Sequence, residues 1–282
     1  MLQESYVYAI NLSIGAILAA LMTAHWRRAE RDSSLAFWTL TAWVMTVADV
    51  LFAMRPVLPY AIGRLVPTLL ITLAHGVLFL GAERTAGRAR HVRTVGIVLA
   101  VHAAALVVFL VTPAIAPWRS VLNGLVWSGL SLAAFRLLRG TTGRLREVMA
   151  IPAIVFAAHA GFHGVRLTLG AALALRLTTV DPAWLQAMGD MEASFFMVAL
   201  FVSLLAAHLQ LRSEELRAAR SDVQELSKLF PVCAWCRKVK AGDGYWQQIE
   251  AWLAEHREMK FTHSICESCE QEQLAVPLER RR

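Results

Sequence analysis

The sequence predicts an all-α membrane protein with seven transmembrane helices, a cytoplasmic helix and a small α+β zinc-ribbon-like tail. Of its 282 residues 57% are hydrophobic and only 17% are charged, whereas soluble domains average about 25% charged residues. Residues 1–210 carry 16 Arg, no Lys and 9 acidic residues, while residues 211–282 carry 12 basic and 12 acidic residues. This division excludes a single soluble globule and a wholly disordered chain. It predicts domains over residues 1–210, 211–230 and 231–282.

Seven runs with few or no charges are each close to the length of about 20 apolar residues that crosses a bilayer core. The predicted spans are residues 5–26, 33–54, 65–82, 94–118, 120–135, 148–165 and 193–211. The fifth span is the shortest, and it lengthens if Arg119 and Arg136 extend their charged ends to the interfaces. A helical soluble core is the alternative, but so many long apolar runs favour a membrane bundle.

Arginines between the spans predict the orientation. The loops after spans one, three and five carry eleven arginines: Arg27, Arg28, Arg31, Arg84, Arg88, Arg90, Arg93, Arg136, Arg139, Arg144 and Arg146. The positive-inside rule places these loops in the cytoplasm. The N-terminus is then outside, and the tail from Leu211 is cytoplasmic.

Six ionisable residues within or beside the spans form a candidate ligand-sensing pocket in the outer half of the bundle. They are Asp49, His159, His163, Arg166, Asp190 and Glu192. Ionisable groups at membrane depth are costly, so each one suggests a functional role. His159 and His163 are four residues apart and share a helix face.

The two histidines on this face suit several roles. Two imidazoles at this spacing can bind one metal ion or haem, or form a pH-sensitive pair. The alternative is purely structural: the histidines hydrogen-bond between helices, and Arg166 pairs with Glu192. We expect His75 and His102 to be interhelical hydrogen-bonding residues.

A heptad pattern follows the seventh span. Its apolar positions are Leu209, Leu216, Ala219, Val223, Leu226 and Phe230, with charged residues between them. This spacing is typical of a coiled coil about three heptads long. It predicts a signalling helix that forms a homodimer through residues 209–230. The alternative is an amphipathic helix that folds onto the tail or the membrane surface.

The four cysteines of the tail form two C-x-x-C pairs, Cys233 with Cys236 and Cys266 with Cys269. Two such pairs suit tetrahedral Zn²⁺, and the reducing cytoplasm disfavours disulfides. An iron–sulfur cluster uses the same thiolates and is the alternative. His263 is a possible replacement for one of them. Between the pairs we expect a turn at residues 241–244, followed by a helix that includes Trp246.

Part of the body resembles a family of bacterial membrane input modules. The resemblance rests on residues 37–40 (FWTL), 51–55 (LFAMR) and 80–84 (LGAER). Such modules precede diguanylate cyclase or histidine kinase domains in sensors. The sequence contains neither a Gly-Gly-Asp/Glu-Glu-Phe motif nor a phosphoacceptor box after His208. The resemblance therefore implies a sensor of the bacterial inner membrane without its own output enzyme.

The tail resembles a small Cys-rich module that ends many bacterial PAS or GAF sensor proteins and response regulators. The matching blocks are residues 231–239 (PVCAWCRKV), 244–250 (GYWQQIE) and 261–269 (FTHSICESC). The family usually has Pro after the third Cys and Gly after the His, where this chain has Glu267 and Ser264. Neither change removes a thiolate, so the resemblance implies a metal-binding module in a signalling context.

These observations predict a membrane signal-transduction sensor or adaptor that is not an enzyme. It would pass a membrane or extracytoplasmic cue through helix seven to an unknown cytoplasmic signalling protein. The alternative is a membrane haem or copper redox protein that uses His159 and His163. A transporter is disfavoured because the sequence shows no internal repeat and no paired broken helices. The neutral tail gives no support to nucleic-acid binding.

Overall fold

The computed structural model describes residues 2–29, 33–88, 91–226, 233, 235–236, 238–240, 246–251 and 265–275. Contacts divide the chain into two units, Met1–Ser213 and Glu214–Arg282. Long apolar runs form helices in the first unit because a helix satisfies its backbone hydrogen bonds without water. Its helices are α1 (Leu2–Arg28), α2 (Ser33–Ala53), α3 (Tyr60–Thr85), α4 (Val92–Val111), a 3₁₀ turn (Pro113–Ile115), α5 (Trp118–Arg139), α6 (Gly143–Val148), α7 (Ala150–Ala174) and α8 (Pro182–Leu226).

Six of the described helices are long and apolar enough to cross a membrane: α2, α3, α4, α5, α7 and α8. The prediction of an all-α, multi-pass membrane protein is confirmed to this extent. The first predicted span, residues 5–26, lies within α1, which is 27 residues long. Among the described residues, α1 is not one of the six, so the count of seven crossings stays a prediction.

Two predicted spans differ in extent from the helices that correspond to them. The span over residues 94–118 is wrong at its end, since α4 stops at Val111 and Pro113 begins a 3₁₀ turn. Proline has no backbone N–H and cannot continue an α-helix. The span over residues 193–211 is much shorter than α8, which is 45 residues long.

The core of the first unit lies between α1, α2, α3, α5, α7 and α8. Its largest fully buried apolar side chains are Met22, Leu35, Leu78, Leu138, Phe156, Leu200, Phe201 and Leu204. Large apolar side chains elsewhere are exposed; on α4, for example, Ile97 is 63% exposed and Val101 is 61% exposed. An apolar outer surface of this kind is what a lipid-facing helix requires.

Glycines allow the helices to approach each other closely. At Gly124 of α5, a Cβ atom would lie 3.0 Å from the carbonyl oxygen of His163 in α7. At Gly81 of α3, it would lie 2.9 Å from the Trp38 ring of α2. Small residues at such crossings are typical of packed membrane helices. They bring the backbones of these helices close enough for polar side chains between them to meet.

The described part of the second unit contains residues 214–226 of α8, a strand pair, a short helical stretch at residues 249–251 and a further helix. Strand β1 (Val239–Lys240) pairs antiparallel with β2 (Trp246–Gln247), with Val239 opposite Gln247. Helix α9 spans Glu267–Ala275. Trp246 therefore belongs to a strand, and its assignment to a helix was wrong because it pairs with Lys240 of β1.

Candidate functional site

A chain of polar contacts crosses the first unit from α3 through α7 to α8. The Nε2 atoms of His75 and His159 lie 2.9 Å apart. The Nδ1 atom of His159 lies 2.7 Å from Oε1 of Glu192. The two histidines are only 2% and 3% exposed. Three helices thus contribute to one buried hydrogen-bonded group, which we call the histidine cluster once His163 is included.

His163 completes the cluster from the next turn of α7. Its Nε2 atom lies 3.9 Å from Oε2 of Glu192. Its Nδ1 atom and Oε2 of Glu192 are both buried, and within the described part of the chain neither has a hydrogen-bond partner. One ring nitrogen each from His75, His159 and His163 lie within 4.8 Å of one another. These three imidazoles are therefore placed to share one ion.

Aromatic rings hold the imidazoles in position. Phe196 of α8 stacks on His159 with 3.6 Å between ring centroids. Trp127 of α5 stacks on His75 at 5.7 Å and meets His163 edge-on at 5.2 Å. Ring packing of this kind restricts side-chain rotation. The cluster is thus pre-organised by its neighbours and does not depend on its own hydrogen bonds alone.

A second polar network lies beside the histidine cluster. The indole N–H of Trp127 donates to Oγ1 of Thr72 at 2.9 Å, and Thr72 Oγ1 lies 2.9 Å from Nδ1 of His102. The other ring nitrogen of His102, Nε2, lies 2.9 Å from Oδ1 of Asn123. His102 thus hydrogen-bonds between α3, α4 and α5, as the sequence suggested. His75 also hydrogen-bonds between helices, but it belongs to the cluster as well.

All six residues of the candidate pocket line one cavity of about 330 Å³. His75, Asn11, Arg55 and Arg119 line it as well. Arg55, Pro117 and Pro182 lie in or next to the connections before α3, α5 and α8. Because α3 starts and α7 ends at these connections, the cavity lies at that end of the bundle.

Asp190 and Arg166 have specific positions in the cavity wall. The Asp190 carboxylate accepts a hydrogen bond from Nε2 of Gln186 at 2.8 Å, and its backbone carbonyl accepts one from Asn11 at 3.1 Å. The Arg166 guanidinium packs against Gly189, where a Cβ atom would lie only 2.4 Å from Nη1. The absence of a side chain at Gly189 therefore leaves space for the Arg166 guanidinium beside α8.

Sequence reasoning did not assign His75 to the pocket, although a signal was present. His75 lies 15 residues after the start of α3, and His159 lies 15 residues before the end of α7. Both ends face the same side of the bundle. At 1.5 Å per residue, the two histidines are at equal depth. Counting residues from matching helix ends would have paired them.

All four cysteines of the tail are among the described residues, and no disulfide bond joins any two of them. The backbone N–H of Cys236 donates to Sγ of Cys233 at 3.5 Å, and the N–H of Cys233 donates to the Lys238 carbonyl at 2.8 Å. N–H groups that point at a sulfur favour the thiolate, so this turn fits a metal ligand pair. Hydrogen bonds from Ser268 and Cys269 lower the pKa of the exposed Cys266 thiol to about 7.

The two cysteine pairs are not assembled into one cluster. Among the described residues, the histidine cluster supplies the one group of three or more His, Cys, Asp or Glu residues whose ligand atoms lie within 4.8 Å of one another. His263, the possible replacement ligand, lies outside the described residues.

Comparison of the chain with known protein families, curated proteins and solved structures finds no match. The features of the molecule that bear on function are the geometry of the histidine cluster and its cavity, together with the donor set of the tail.

Proposed function

We propose that the protein is an integral membrane signal-transduction sensor or adaptor without its own catalytic domain. The observation that carries this proposal is the cavity with its buried histidine cluster, built from α3, α5, α7 and α8. Ionisable groups at membrane depth are costly, and a role in binding a ligand or ion accounts for them. The cue arrives from the membrane or from the extracytoplasmic side, where the positive-inside rule puts this end of the bundle.

Helix α8 carries the response away from the cavity. Glu192 and Asp190 of α8 line the cavity, and the same helix continues without interruption to Leu226. Binding that changes the contact between Glu192 and His159 changes the position or rotation of α8. A continuous helix transmits such a movement along its length because its backbone hydrogen bonds keep it rigid.

The end of α8 is the proposed dimer contact. Leu209 is 49% exposed and Leu216 is 71% exposed, and both belong to the heptad pattern. Exposed apolar residues at a and d spacing are typical of a helix that pairs with a second copy of itself. The homodimer through residues 209–230 presents the tails to an unknown cytoplasmic signalling protein.

The tail is a zinc-binding module in this proposal. Zn²⁺ would be held by Cys233, Cys236, Cys266 and Cys269. The metal cross-links the tail, because a domain of about 50 residues has only a small hydrophobic core. The site is structural, so the metal stabilises the surface that a partner recognises. An iron–sulfur cluster is the alternative for the same thiolates.

The resemblances support a wider context for this function. A body similar to bacterial input modules and a tail similar to a Cys-rich sensor module point to a bacterial inner membrane protein. We propose seven crossings with α1 as the first, the N-terminus outside and the C-terminus in the cytoplasm. The eleven arginines of the odd-numbered loops are the support for this orientation.

Distance measurements along α8 test the proposal. A spin label is introduced at Glu214 as an unnatural amino acid, which leaves the cysteines intact, and the full-length protein is placed in lipid bilayers. We expect an inter-subunit distance that changes in His159→Gln and Glu192→Gln, but not in the control His102→Gln. A monomer, or an identical distance in all four proteins, would refute the proposed function.

A copper redox protein is the second candidate, because three imidazoles lie within reach of one ion. Haem fits this geometry poorly. The 2.9 Å between Nε2 of His75 and Nε2 of His159 leaves no room for a porphyrin between them. His159 and His163 share one helix face and cannot bind opposite sides of one haem. Redox-active copper predicts a protein with visible absorption that reduction bleaches, and a colourless protein after copper loading counts against it.

A further inference from the structure

The hydrogen bonds of the histidine cluster fix where its protons are. Nδ1 of His75 lies 2.8 Å from the Ile71 carbonyl oxygen, and a carbonyl oxygen only accepts, so Nδ1 carries the proton. Nδ1 of His159 lies 2.7 Å from Glu192 and likewise donates if the carboxylate is ionised. A neutral imidazole has one N–H. Both Nε2 atoms, 2.9 Å apart, would then face each other as lone pairs.

One additional proton or one cation resolves this conflict. Three hydrogen-bond contacts link Ile71, His75, His159 and Glu192 in a row, and each contact needs one proton. Two neutral imidazoles and an ionised carboxylate hold only two protons. A third proton, shared between the Nε2 atoms or returned to the carboxyl group, makes the unit electrically neutral. Neutrality is favoured in a buried membrane site. The network around His102 can be satisfied without an extra proton: Asn123 Oδ1 accepts from Nε2, and the Thr72 hydroxyl, which also contacts the Thr68 carbonyl oxygen, donates to Nδ1.

We infer that His75, His159 and His163 form a binding site for one divalent transition-metal ion, which replaces the proton shared by His75 and His159. Zinc–nitrogen bonds of about 2.0–2.1 Å in a tetrahedral site put ligand nitrogens about 3.3 Å apart. The two Nε2 atoms therefore need to separate by only a few tenths of an ångström. His163 supplies the third nitrogen, and within the described residues its buried Nδ1 has no other partner.

Glu192 and the cavity complete the site. Glu192 accepts the Nδ1–H of His159, which is the second-layer carboxylate that metal-bound histidines commonly have. The fourth coordination position faces the cavity of about 330 Å³, where water or an anion can bind. Three imidazoles favour Zn²⁺, Cu²⁺ or Ni²⁺ over the oxygen-seeking Mg²⁺ and Ca²⁺.

Exchange of the shared proton for a metal ion has a defined charge balance. The group of His75, His159 and Glu192 is neutral when it holds three protons. It loses one H⁺ and gains one divalent ion M²⁺, so its net charge becomes +1 with Glu192 ionised. Other ionisable groups face the cluster from the same cavity and influence its proton affinity. They are Asp49 of α2, Arg55 beyond α2, Arg119 of α5, Arg166 of α7 and Asp190 of α8.

The metal ion is the cue of the proposed sensor. Only the signalling consequence of metal binding rests on the proposed function, and metal binding itself does not. Binding is measured directly on the full-length protein in lipid nanodiscs, with the tail thiols removed by Cys266→Ser and Cys269→Ser. Calorimetry with Zn²⁺, and visible spectra with Co²⁺ as the probe, report the site. With Cys233→Ser and Cys236→Ser added, so that all four tail thiols are removed, we expect one ion per chain, nitrogen and oxygen ligation without sulfur, and release of about one proton per ion. The association constant should fall about tenfold for each pH unit of acidification.

Variants distinguish the cluster from other sites. We expect Glu192→Gln to weaken Zn²⁺ binding about 10- to 100-fold, and His163→Ala to weaken it at least as much. The control His102→Ala removes an equally buried histidine of the same bundle and should keep the wild-type affinity. Absence of binding, binding without proton release in the otherwise wild-type bundle, or equal affinity in all variants would overturn the inference.

The two proposals fail in different ways. If Zn²⁺ binds as described but the inter-subunit distance at residue 214 does not respond to it, the metal site stands and metal sensing fails. If the distance responds to the His159→Gln change while the full-length protein without tail thiols binds no Zn²⁺, the metal site fails and the sensor stands.

Discussion

The Nδ1 atom of His159 lies 2.7 Å from Oε1 of Glu192, and this contact joins the middle of α7 to α8. Through it the buried histidine cluster is joined to α8, which continues to Leu226. In the proposed sensor, Glu192 lies on the helix that carries the response. Both proposals, for a signal and for a metal ion, therefore depend on the same pair of side chains.

The first prediction concerns the coupling of this pair. Removing one partner leaves the other buried without its hydrogen bond, and this costs more than removing both. We expect His159→Leu and Glu192→Leu each to destabilise the protein, and the double variant to lose less than the sum. The coupling free energy should be about 0.5–3 kcal/mol, measured by unfolding in mixed detergent micelles. Glu147, which pairs with Arg144, provides the control Glu147→Leu, and an equal coupling of His159 to Glu147 would contradict the prediction.

The second prediction concerns helix packing at Gly81. A Cβ atom there would lie 2.9–3.0 Å from the buried Trp38 ring, so Gly81→Ala should destabilise the bundle by about 1–3 kcal/mol through overpacking. Gly161→Ala is the matched control, since no atom lies within 4 Å of its added Cβ. This control should stabilise α7 by up to about 1 kcal/mol, because alanine favours helix over glycine. Thermal unfolding in one detergent measures both, and a shift of the same sign in both variants would contradict the packing argument.

The third prediction concerns the tail. We expect the full-length protein to hold one Zn²⁺ through its four cysteines, and a chelator to expose residues 233–275 to protease, because the metal replaces a hydrophobic core. Cys269→Ser should show this sensitivity before any chelator is added. Gln271→Ala changes an exposed residue of α9 that is not a ligand and should remain resistant. A tail that resists protease equally with and without zinc would show that the metal has no structural role.

The fourth prediction concerns the dimer. Leu216 is 71% exposed and lies on the heptad face, so Leu216→Glu should place like charges at the contact and weaken the dimer at least tenfold. Ala218→Glu adds the same charge off the heptad face and should leave the dimer intact. Sedimentation equilibrium of the full-length protein measures both association constants. Equal weakening by the two changes would place the contact elsewhere.

Much of the membrane body could be predicted from the sequence, because a bilayer imposes a simple length and composition on each helix. The end of α4 was missed because a hydropathy run counts Pro113 and Pro117 as apolar residues, while the backbone treats them as interruptions. The start of α8 was missed for a different reason. Residues 182–192 are helical although Asp190 and Glu192 interrupt the apolar run, whereas the helix beyond residue 211 was expected from the heptad pattern.

The site was only partly predictable. Asp49, His159, His163, Arg166, Asp190 and Glu192 stand out as ionisable residues in apolar runs. The contact between His75 and His159 depends on which helices are neighbours and on the depth of each residue in the bundle. The periodicity of apolar residues along one helix predicts neither. The positions of Phe196 and Trp127 against the imidazoles are likewise tertiary facts, because an aromatic residue in an apolar run gives no sign of what it packs against.

The depth of the histidine cluster has an electrical consequence. His75 lies 15 residues into the 26 residues of α3, so it is near the middle of the helix and of a core about 30 Å thick. A charge that reaches the cluster from either side crosses about half of the bilayer. Complete transfer of one elementary charge is worth about 2.3 kcal/mol per 100 mV. The membrane voltage of the cell therefore enters the binding free energy, and de-energised vesicles and energised ones should differ in occupancy at the same metal concentration.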